Sequence, residues 1–200
     1  LRYSQNAPLD MYKEVNTGCN LPAQIDLYAI DGDEYKFLFM AKGGGSENKS
    51  KLVMLNPSDS IEDWILEQIP HMGAGWCPPG IIGVGVGGTM EKAAVLAKEA
   101  LMDPIDIEDL IAKGAETSEE KLRLSLYDKI NKTGIGAQGL GGLTTVLDVK
   151  VKSYPTHAVA KPVAIIPNCA ASRHIHFELD GTGPCNLVPP SLDEWPDIEL

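Results

Sequence analysis

The chain has 200 residues, 44% of them hydrophobic and 6% aromatic, which is enough apolar material for a buried core and excludes a disordered polypeptide. Its 28 acidic residues outnumber its 17 basic ones, for a net charge of -11, and no basic cluster could follow a phosphate backbone. With no apolar run near the roughly 18 residues of a membrane span and no signal-peptide pattern, we expect neither nucleic acid nor a membrane as partner, and a cytoplasmic or organelle-matrix location.

The first predicted element is a β-hairpin. Residues 25–41 form two apolar, aromatic-rich runs around a central Asp-Gly-Asp, and a glycine-containing turn between such runs is typical of paired strands.

Residues 42–50, which follow, carry three adjacent glycines. This run has the outline of a phosphate loop, but Asn48 stands where that motif needs glycine, and a strand-like KLVML follows where a helix should. A carboxylate-binding nest of backbone N–H groups and a plain flexible turn both stay open.

Three helices are predicted from their capping residues and apolar spacing. Ser60 is the expected N-cap of the first helix, and Pro70 marks its end. Thr89 is the expected N-cap of the second, an alanine-rich segment. Thr117 begins the third, with Glu120 as its capping-box partner. The apolar stripe of this third helix consists of Leu122, Leu126 and Ile130.

Gly83, Gly85 and Gly88, before the second helix, match the spacing of a dinucleotide-binding fingerprint. The context argues against that function. Only Gly80, Ile81 and Ile82 separate the preceding prolines from the first glycine of the motif, which is too short for the strand that the motif requires. A glycine-rich strand packed closely on a neighbouring element is therefore the favoured interpretation.

The remaining predicted elements are two strands and a tail. The β-branched runs at 144–151 and around 163–166 are typical of strands. Residues 181–200 are rich in proline and acidic side chains, which predicts an extended linker towards a further domain. We expect residues 1–180 to form one domain of the α+β class, with mixed sheets, hairpin-type strands and separately packed helices.

The cysteines are too widely spread for the disulfide framework of a small secreted domain, so free thiols or metal ligands are expected. Cys77 and Cys169 lie in turn-prone sequences, where a thiolate could point outward from a rigid loop. The alternative is that each is a buried residue that packs as a small hydrophobic side chain. His174 and His176 would share one strand face near Cys169, but no fourth zinc ligand is evident, and exposed strand histidines are favoured. The four cysteines are Cys19, Cys77, Cys169 and Cys185.

Several segments resemble the iron-sulfur-dependent class I fumarases and their relatives, the tartrate dehydratases. The matching strings are RYSQNAPLDMYKEVNTGCNLPAQIDLY at 2–28, AKGGGSENK at 41–49, CPP at 77–79, GIGAQGLGG at 134–142 and NCAASRHIHF at 168–177. The resemblance implies a fold of the class I fumarase N-terminal-domain type. It also implies a hydro-lyase that reversibly hydrates fumarate to malate at a 4Fe-4S cluster with one iron that has no protein thiolate.

The resemblance further implies roles for individual residues. Cys77 and Cys169 match two of the three cluster ligands, while the third, in a Cys-Gln-Asp segment, is not in this chain. Arg2 matches an arginine that pairs with a substrate carboxylate, which suits the planar guanidinium. Gly45 matches a position that offers its backbone N–H to the substrate, so the anion nest becomes the favoured interpretation of the glycine run. Cys19 stands where the family usually has threonine.

Other parts of the enzyme are expected outside this chain. The resemblance implies a C-terminal domain or β subunit that supplies the catalytic base and further arginines, and it suggests a homodimer. By itself the chain is expected to hold the cluster weakly or not at all and to be inactive. A sister dehydratase acting on tartrate or mesaconate is the nearest alternative, and a non-catalytic fragment with a glycine-rich anion-binding loop is another. Cys185, in the linker-like tail, is interpreted as incidental.

Overall fold

The structure, a computed structural model, describes residues 5–13, 16–19 and 21–183. The chain divides into two compact units: residues 36–179 form the larger, and residues 1–35 with 180–200 form the smaller. In the smaller unit, a 3-10 helix spans Pro8–Lys13, and Asn6 and Asn16 form an isolated antiparallel bridge. Across the described ranges, no helix has the length and apolar character needed to cross a membrane.

The larger unit contains two sheets. Its strands are β1 (Tyr35–Ala41), β2 (Lys51–Leu55), β3 (Gly80–Gly87), β4 (Val146–Tyr154), β5 (Lys161–Cys169) and β6 (Arg173–Leu179). A four-stranded sheet has the order β2-β5-β3-β4, and β1 pairs with β6 in a two-stranded ribbon. Because β3 runs antiparallel to β5 but parallel to β4, the larger sheet is mixed, as the α+β prediction requires. The strands predicted at 144–151 and around 163–166 are confirmed as parts of β4 and β5.

Within the described residues, the larger unit has five α-helices, of which the three predicted ones begin where their caps predict. They are α1 (Gly44–Glu47), α2 (Ile61–Met72), α3 (Met90–Ala100), α4 (Ile107–Lys113) and α5 (Ser118–Asn131). The side chains of Ser60, Thr89 and Thr117 each accept a hydrogen bond from a backbone N–H group in the first turn of α2, α3 and α5, respectively. The predicted end of α2 at Pro70 is wrong. Pro70 has no N–H to donate to the preceding turn, but His71 and Met72 keep theirs, so the helix continues to Met72, and Gly73, with a φ of 58°, ends it.

The hairpin predicted over residues 25–41 is also wrong. Its second run forms β1, but this strand pairs with β6, while residues 25–30 have no regular secondary structure. Phe37 stacks on Phe177 of β6 with ring centroids 4.6 Å apart. The apolar pattern thus predicted a strand correctly, but the choice of partner depends on side chains that lie far along the chain.

The glycine-rich strand β3 lies in the centre of the unit, between helices on both faces of the larger sheet. A Cβ atom on Gly83 would overlap the carbonyl oxygen of Ala97, and one on Gly85 would overlap that of Ala93. Helix α3 therefore packs directly on the strand backbone, which confirms the close-packing interpretation of these glycines. The core on the opposite face includes Ile65, Ile69, Trp76, Ile82, Val84, Leu126, Ile130 and Val149.

Candidate functional site

Cys77 and Cys169 lie at the same edge of the four-stranded sheet. Cys169 is the last residue of β5 and pairs in register with Gly80, the first residue of β3. Cys77 lies in the loop that leads directly into Gly80. Both thiols are free, with Cys77 exposed and Cys169 half-buried. The fold therefore brings to one edge two thiols that are far apart in sequence.

The backbone of Cys77 adopts a conformation that few residues other than glycine adopt. Its φ is 57°, in the left-handed region, which costs a residue with a Cβ atom about 1 kcal/mol or more. Trp76, fully buried in the core, anchors the loop on one side of this residue. On the other side, the backbone N–H of Gln138 donates to the carbonyl oxygen of Pro78 at 2.7 Å. The loop is thus held from both sides while its thiol stays exposed.

The chain turns sharply after Cys169. The N–H of Ser172 donates to the carbonyl oxygen of Cys169 at 3.1 Å, which closes the turn. The buried Asn168 accepts a hydrogen bond from the Ser172 hydroxyl through Oδ1, and its Nδ2 lies 3.9 Å from Sδ of Met40 in β1. These contacts fix the position of Cys169 at the end of β5, next to a residue that contacts β1.

The glycine run forms the short helical turn α1, which packs against β5. The N–H groups of Gly44, Gly45 and Ser46 precede the first hydrogen bond of this turn, which Glu47 donates to Gly43 at 3.0 Å. Gly45 is exposed, and a Cβ atom there would lie 2.9 Å from the carbonyl oxygen of Gly75, in the loop before Cys77. The glycine run therefore meets the loop before Cys77 and packs against β5, the strand that ends at Cys169.

A buried cation, Lys42, lies beside this meeting point. Its side chain is 7% exposed, and its Nζ lies 3.1 Å from Oε2 of Glu47 and donates to Oγ of Ser46 at 3.0 Å. Burial lowers the pKa of Lys42, while attraction to Glu47 and, more weakly, to Cys169 acts in the opposite direction. Sequence reasoning missed this residue. The one signal was a lysine directly after the apolar FLFMA run.

Three other predicted positions lie in the smaller unit or outside the described residues. Arg2 and Cys185 fall outside the described residues. Cys19 is exposed in the smaller unit, with its Sγ 3.2 Å from Oγ1 of Thr17, and this hydroxyl lowers the pKa of the thiol. The predicted roles of Arg2 and Gly45 in binding the substrate stay predictions.

The histidine pair on β6 is exposed, as favoured from the sequence. The rings of His174 and His176 have centroids 5.8 Å apart, and Nε2 of His176 lies 3.1 Å from the carbonyl oxygen of Met102. Within the described stretches, no group of three or more His, Cys, Asp or Glu side chains could hold a metal ion. The described thiols fit part of an iron-sulfur site, since thiolate sulfur is its usual ligand, and a further donor must come from elsewhere.

Comparison with known proteins gives consistent matches. The family model described as "Fumarate hydratase (Fumerase)" matches residues 1–178. "Fumarate hydratase class I, aerobic" of Escherichia coli (strain K12) is 42% identical over 192 residues, covering 92% of this chain and 34% of that protein. "Fumarate hydratase 1, mitochondrial" of Leishmania major is 43% identical over 193 residues, covering 91% and 34%. "L(+)-tartrate dehydratase subunit alpha" of Escherichia coli (strain UTI89 / UPEC) is 32% identical over 182 residues, covering 86% and 58%. The chain thus spans about a third of the length of these fumarate hydratases.

Proposed function

The chain belongs to the fumarate hydratase family, and from this premise we propose that it is the cluster-binding part of a hydro-lyase that reversibly adds water to fumarate to give malate. The observation that carries the proposal is that Cys77 and Cys169 lie at one sheet edge, with the glycine run around Gly45 against the loop before Cys77 and against β5. Because the chain spans about a third of its fumarate hydratase relatives, the complete activity also needs residues outside it.

Cys77 and Cys169 would hold two irons of a 4Fe-4S cluster whose third thiolate comes from outside this chain. When bound, the cluster supplies an open iron site that acts as a Lewis acid on the hydroxyl group of the substrate. Two features of the chain support this role. Both thiols are free, and the strained, doubly anchored loop of Cys77 presents its sulfur from a fixed position.

Arg2 and Gly45 are the proposed substrate contacts of this chain. The guanidinium of Arg2 would bind one carboxylate through two parallel hydrogen bonds. The backbone N–H of Gly45 would donate to a carboxylate oxygen, and the exposure of this residue beside the Cys77 loop supports that role. Both donors would stabilise the negative charge that grows on the carboxylate when the neighbouring proton is removed. The base that removes this proton is expected outside the chain.

The partner that completes the site is a further domain of the same polypeptide or a separate β subunit. The match to a protein named as the α subunit of a tartrate dehydratase supports the second arrangement, and the longer fumarate hydratases support the first. We favour the single polypeptide, with residues 181–200 as its linker, assembled as a homodimer in the cytoplasm or, in a eukaryote, the mitochondrial matrix.

A sister dehydratase is the second candidate function. The observation in its favour is the 32% identity to a tartrate dehydratase α subunit over 182 residues. Tartrate and mesaconate share a dicarboxylate frame with fumarate and malate. The same two thiols and the same donors would therefore serve either reaction, and an activity assay must decide between them.

The test uses the full-length protein after anaerobic reconstitution with iron and sulfide. We expect Cys77→Ser and Cys169→Ser to abolish both the cluster absorbance and the hydration of fumarate, because each removes a ligand. Cys19→Ser, at an exposed thiol of the smaller unit, is the matched control and should keep both. A normal cluster in either of the first two variants would refute the ligand assignment. Turnover of tartrate or mesaconate without turnover of fumarate would instead favour the sister dehydratase.

A further inference from the structure

We infer that Lys42 is a positioning residue of this site, whose buried ammonium is the charge partner of the sulfur that Cys169 brings to the metal. The inference rests on the proposed function. It concerns a residue to which neither the sequence patterns nor the family resemblance gave a role, and it follows from where this side chain lies and from the charges around it.

The backbone places Lys42 beside the Cys169 turn. Met40 belongs to β1 and stands two residues before Lys42. Its Sδ lies 3.9 Å from Nδ2 of Asn168, the residue before Cys169. On the other side of Lys42, the α1 turn packs against β5, the strand that ends at Cys169. Lys42 thus lies between a segment that contacts Asn168, next to Cys169, and a segment that packs against the same strand.

The charges around Lys42 do not balance. Its Nζ lies 3.1 Å from Oε2 of Glu47, but Nζ of Lys98 on α3 lies 2.5 Å from the same oxygen. Two cations therefore share one carboxylate. The Lys42 side chain is 7% exposed, whereas those of Lys98 and Glu47 are 30% and 51% exposed, so water reaches the other two members of the group but little of Lys42 itself. A buried charge without a full partner is costly, and a negatively charged group at the neighbouring Cys169 would remove that cost.

The hydrogen-bonding capacity of Lys42 leads to the same conclusion. An ammonium group has three N–H donors. Among the described residues, Oγ of Ser46 and the carboxylate of Glu47 accept from this one, which leaves a donor for a further acceptor. A metal-bound thiolate sulfur is such an acceptor. Hydrogen bonds and positive charge at cluster sulfurs stabilise the reduced cluster and raise its reduction potential.

The test again uses the full-length, anaerobically reconstituted protein. In Lys42→Met we expect the reduction potential of the cluster to become more negative, and iron loss to a chelator to become several-fold faster. Lys121→Met, which removes an exposed cation of α5 outside this ion-pair group, is the control, and it should leave both quantities unchanged. Lys42→Arg should restore the potential in part, since it keeps the charge but not the compact ammonium. The measurements are a redox titration followed by electron paramagnetic resonance, and iron per protein over time.

Two results would overturn the inference: a wild-type potential and iron retention in Lys42→Met, or equal changes in Lys42→Met and Lys121→Met. If circular dichroism shows that Lys42→Met does not fold, Lys42→Gln, which keeps a donor but no charge, decides by the same measurements. A wild-type protein that binds no iron would instead refute the proposed function itself, and the inference with it. The two failures are therefore distinguishable.

Discussion

The side chains of two lysines in the larger unit are almost fully buried, and the charged groups around them differ. The side chains of Lys42 and Lys150 are 7% and 4% exposed. Nζ of Lys150 lies 3.0 Å from Oδ2 of Asp148 and also contacts Asp106. Arg123 pairs with the same two carboxylates, at 2.5 Å from Asp106 and 3.2 Å from Asp148. Two cations thus meet two anions in this group, which we call the Lys150 network.

The group around Lys42 has no such balance, since Lys42 and Lys98 share the single carboxylate of Glu47. The difference indicates what each group is for. A balanced network, in which Arg123 also donates to the backbone oxygen of Val149 at 2.8 Å, is complete within the chain and holds elements together. The group around Lys42 would be balanced by the anionic sulfur that we infer at Cys169.

The largest effect expected from this comparison is on stability, when both lysines receive the same substitution. Lys150→Met leaves Asp106 and Asp148 with Arg123 alone, and breaking a buried network in this way costs roughly 3 kcal/mol or more. Lys42→Met leaves one cation on one carboxylate, so we expect the free energy of unfolding to change by no more than about 1 kcal/mol. Urea denaturation of the two variants measures both values.

Lys121→Met, at an exposed lysine of α5, serves as the baseline for this pair, because it removes a cation without affecting either buried group. Losses of similar size for Lys42→Met and Lys150→Met would contradict the comparison, because they would mean that the Lys42 group is as complete as the Lys150 network. A loss confined to Lys150→Met would support it.

The local parts of this fold could be predicted from the sequence. Ser60, Thr89 and Thr117 act as predicted because a cap depends on residues within one helical turn. The hairpin over residues 25–41 failed for the opposite reason. The partner of β1 is a strand near the other end of the described chain, and no periodicity in the first segment carries that information.

The site shows the same division. Cys77 and Cys169 became candidate ligands through the family resemblance, because their wide separation has none of the short spacing of known cluster motifs. What places them together is the register of β3 and β5, which the sequence does not reveal. Lys42 was missed altogether. Its significance depends on how many charges surround it in the folded chain, and its only sequence signal is its place beside an apolar run.

A smaller effect is expected from a change that moves α3, the helix that carries Lys98. Gly83→Ala places a methyl group against the carbonyl oxygen of Ala97, so α3 must shift away from β3. Such overpacking costs roughly 1–3 kcal/mol, and it loosens the contact of Lys98 with Glu47. Gly183→Ala, at a glycine with open space around it, is the control. An unchanged urea midpoint in Gly83→Ala would contradict the direct packing of α3 on the strand.

The smallest effect concerns the first turn of α5, the helix that supplies Arg123 to the Lys150 network. Oγ1 of Thr117 accepts from the N–H of Glu120 at 3.1 Å, and Oε2 of Glu120 accepts from the N–H of Thr117 at 3.0 Å. Thr117→Ala removes the first of these bonds and should cost about 1 kcal/mol at neutral pH, measured by urea denaturation. A larger loss, near that of Lys150→Met, would mean that the cap and the network unfold together.

The same capping box predicts a pH dependence. The N–H groups of Thr117 and Glu116, helped by Lys113, lower the pKa of Glu120 from 4.5 to about 2. Because the pKa is lower in the folded chain, the ionised carboxylate stabilises the fold above pH 4.5, and this contribution is lost as the pH falls from 4.5 towards 2. In Glu120→Gln the free energy of unfolding should therefore decline less steeply across this window than in the wild type. Glu67→Gln, at an exposed position of α2, should keep the wild-type slope, and equal slopes in all three proteins would remove Glu120 from the cap.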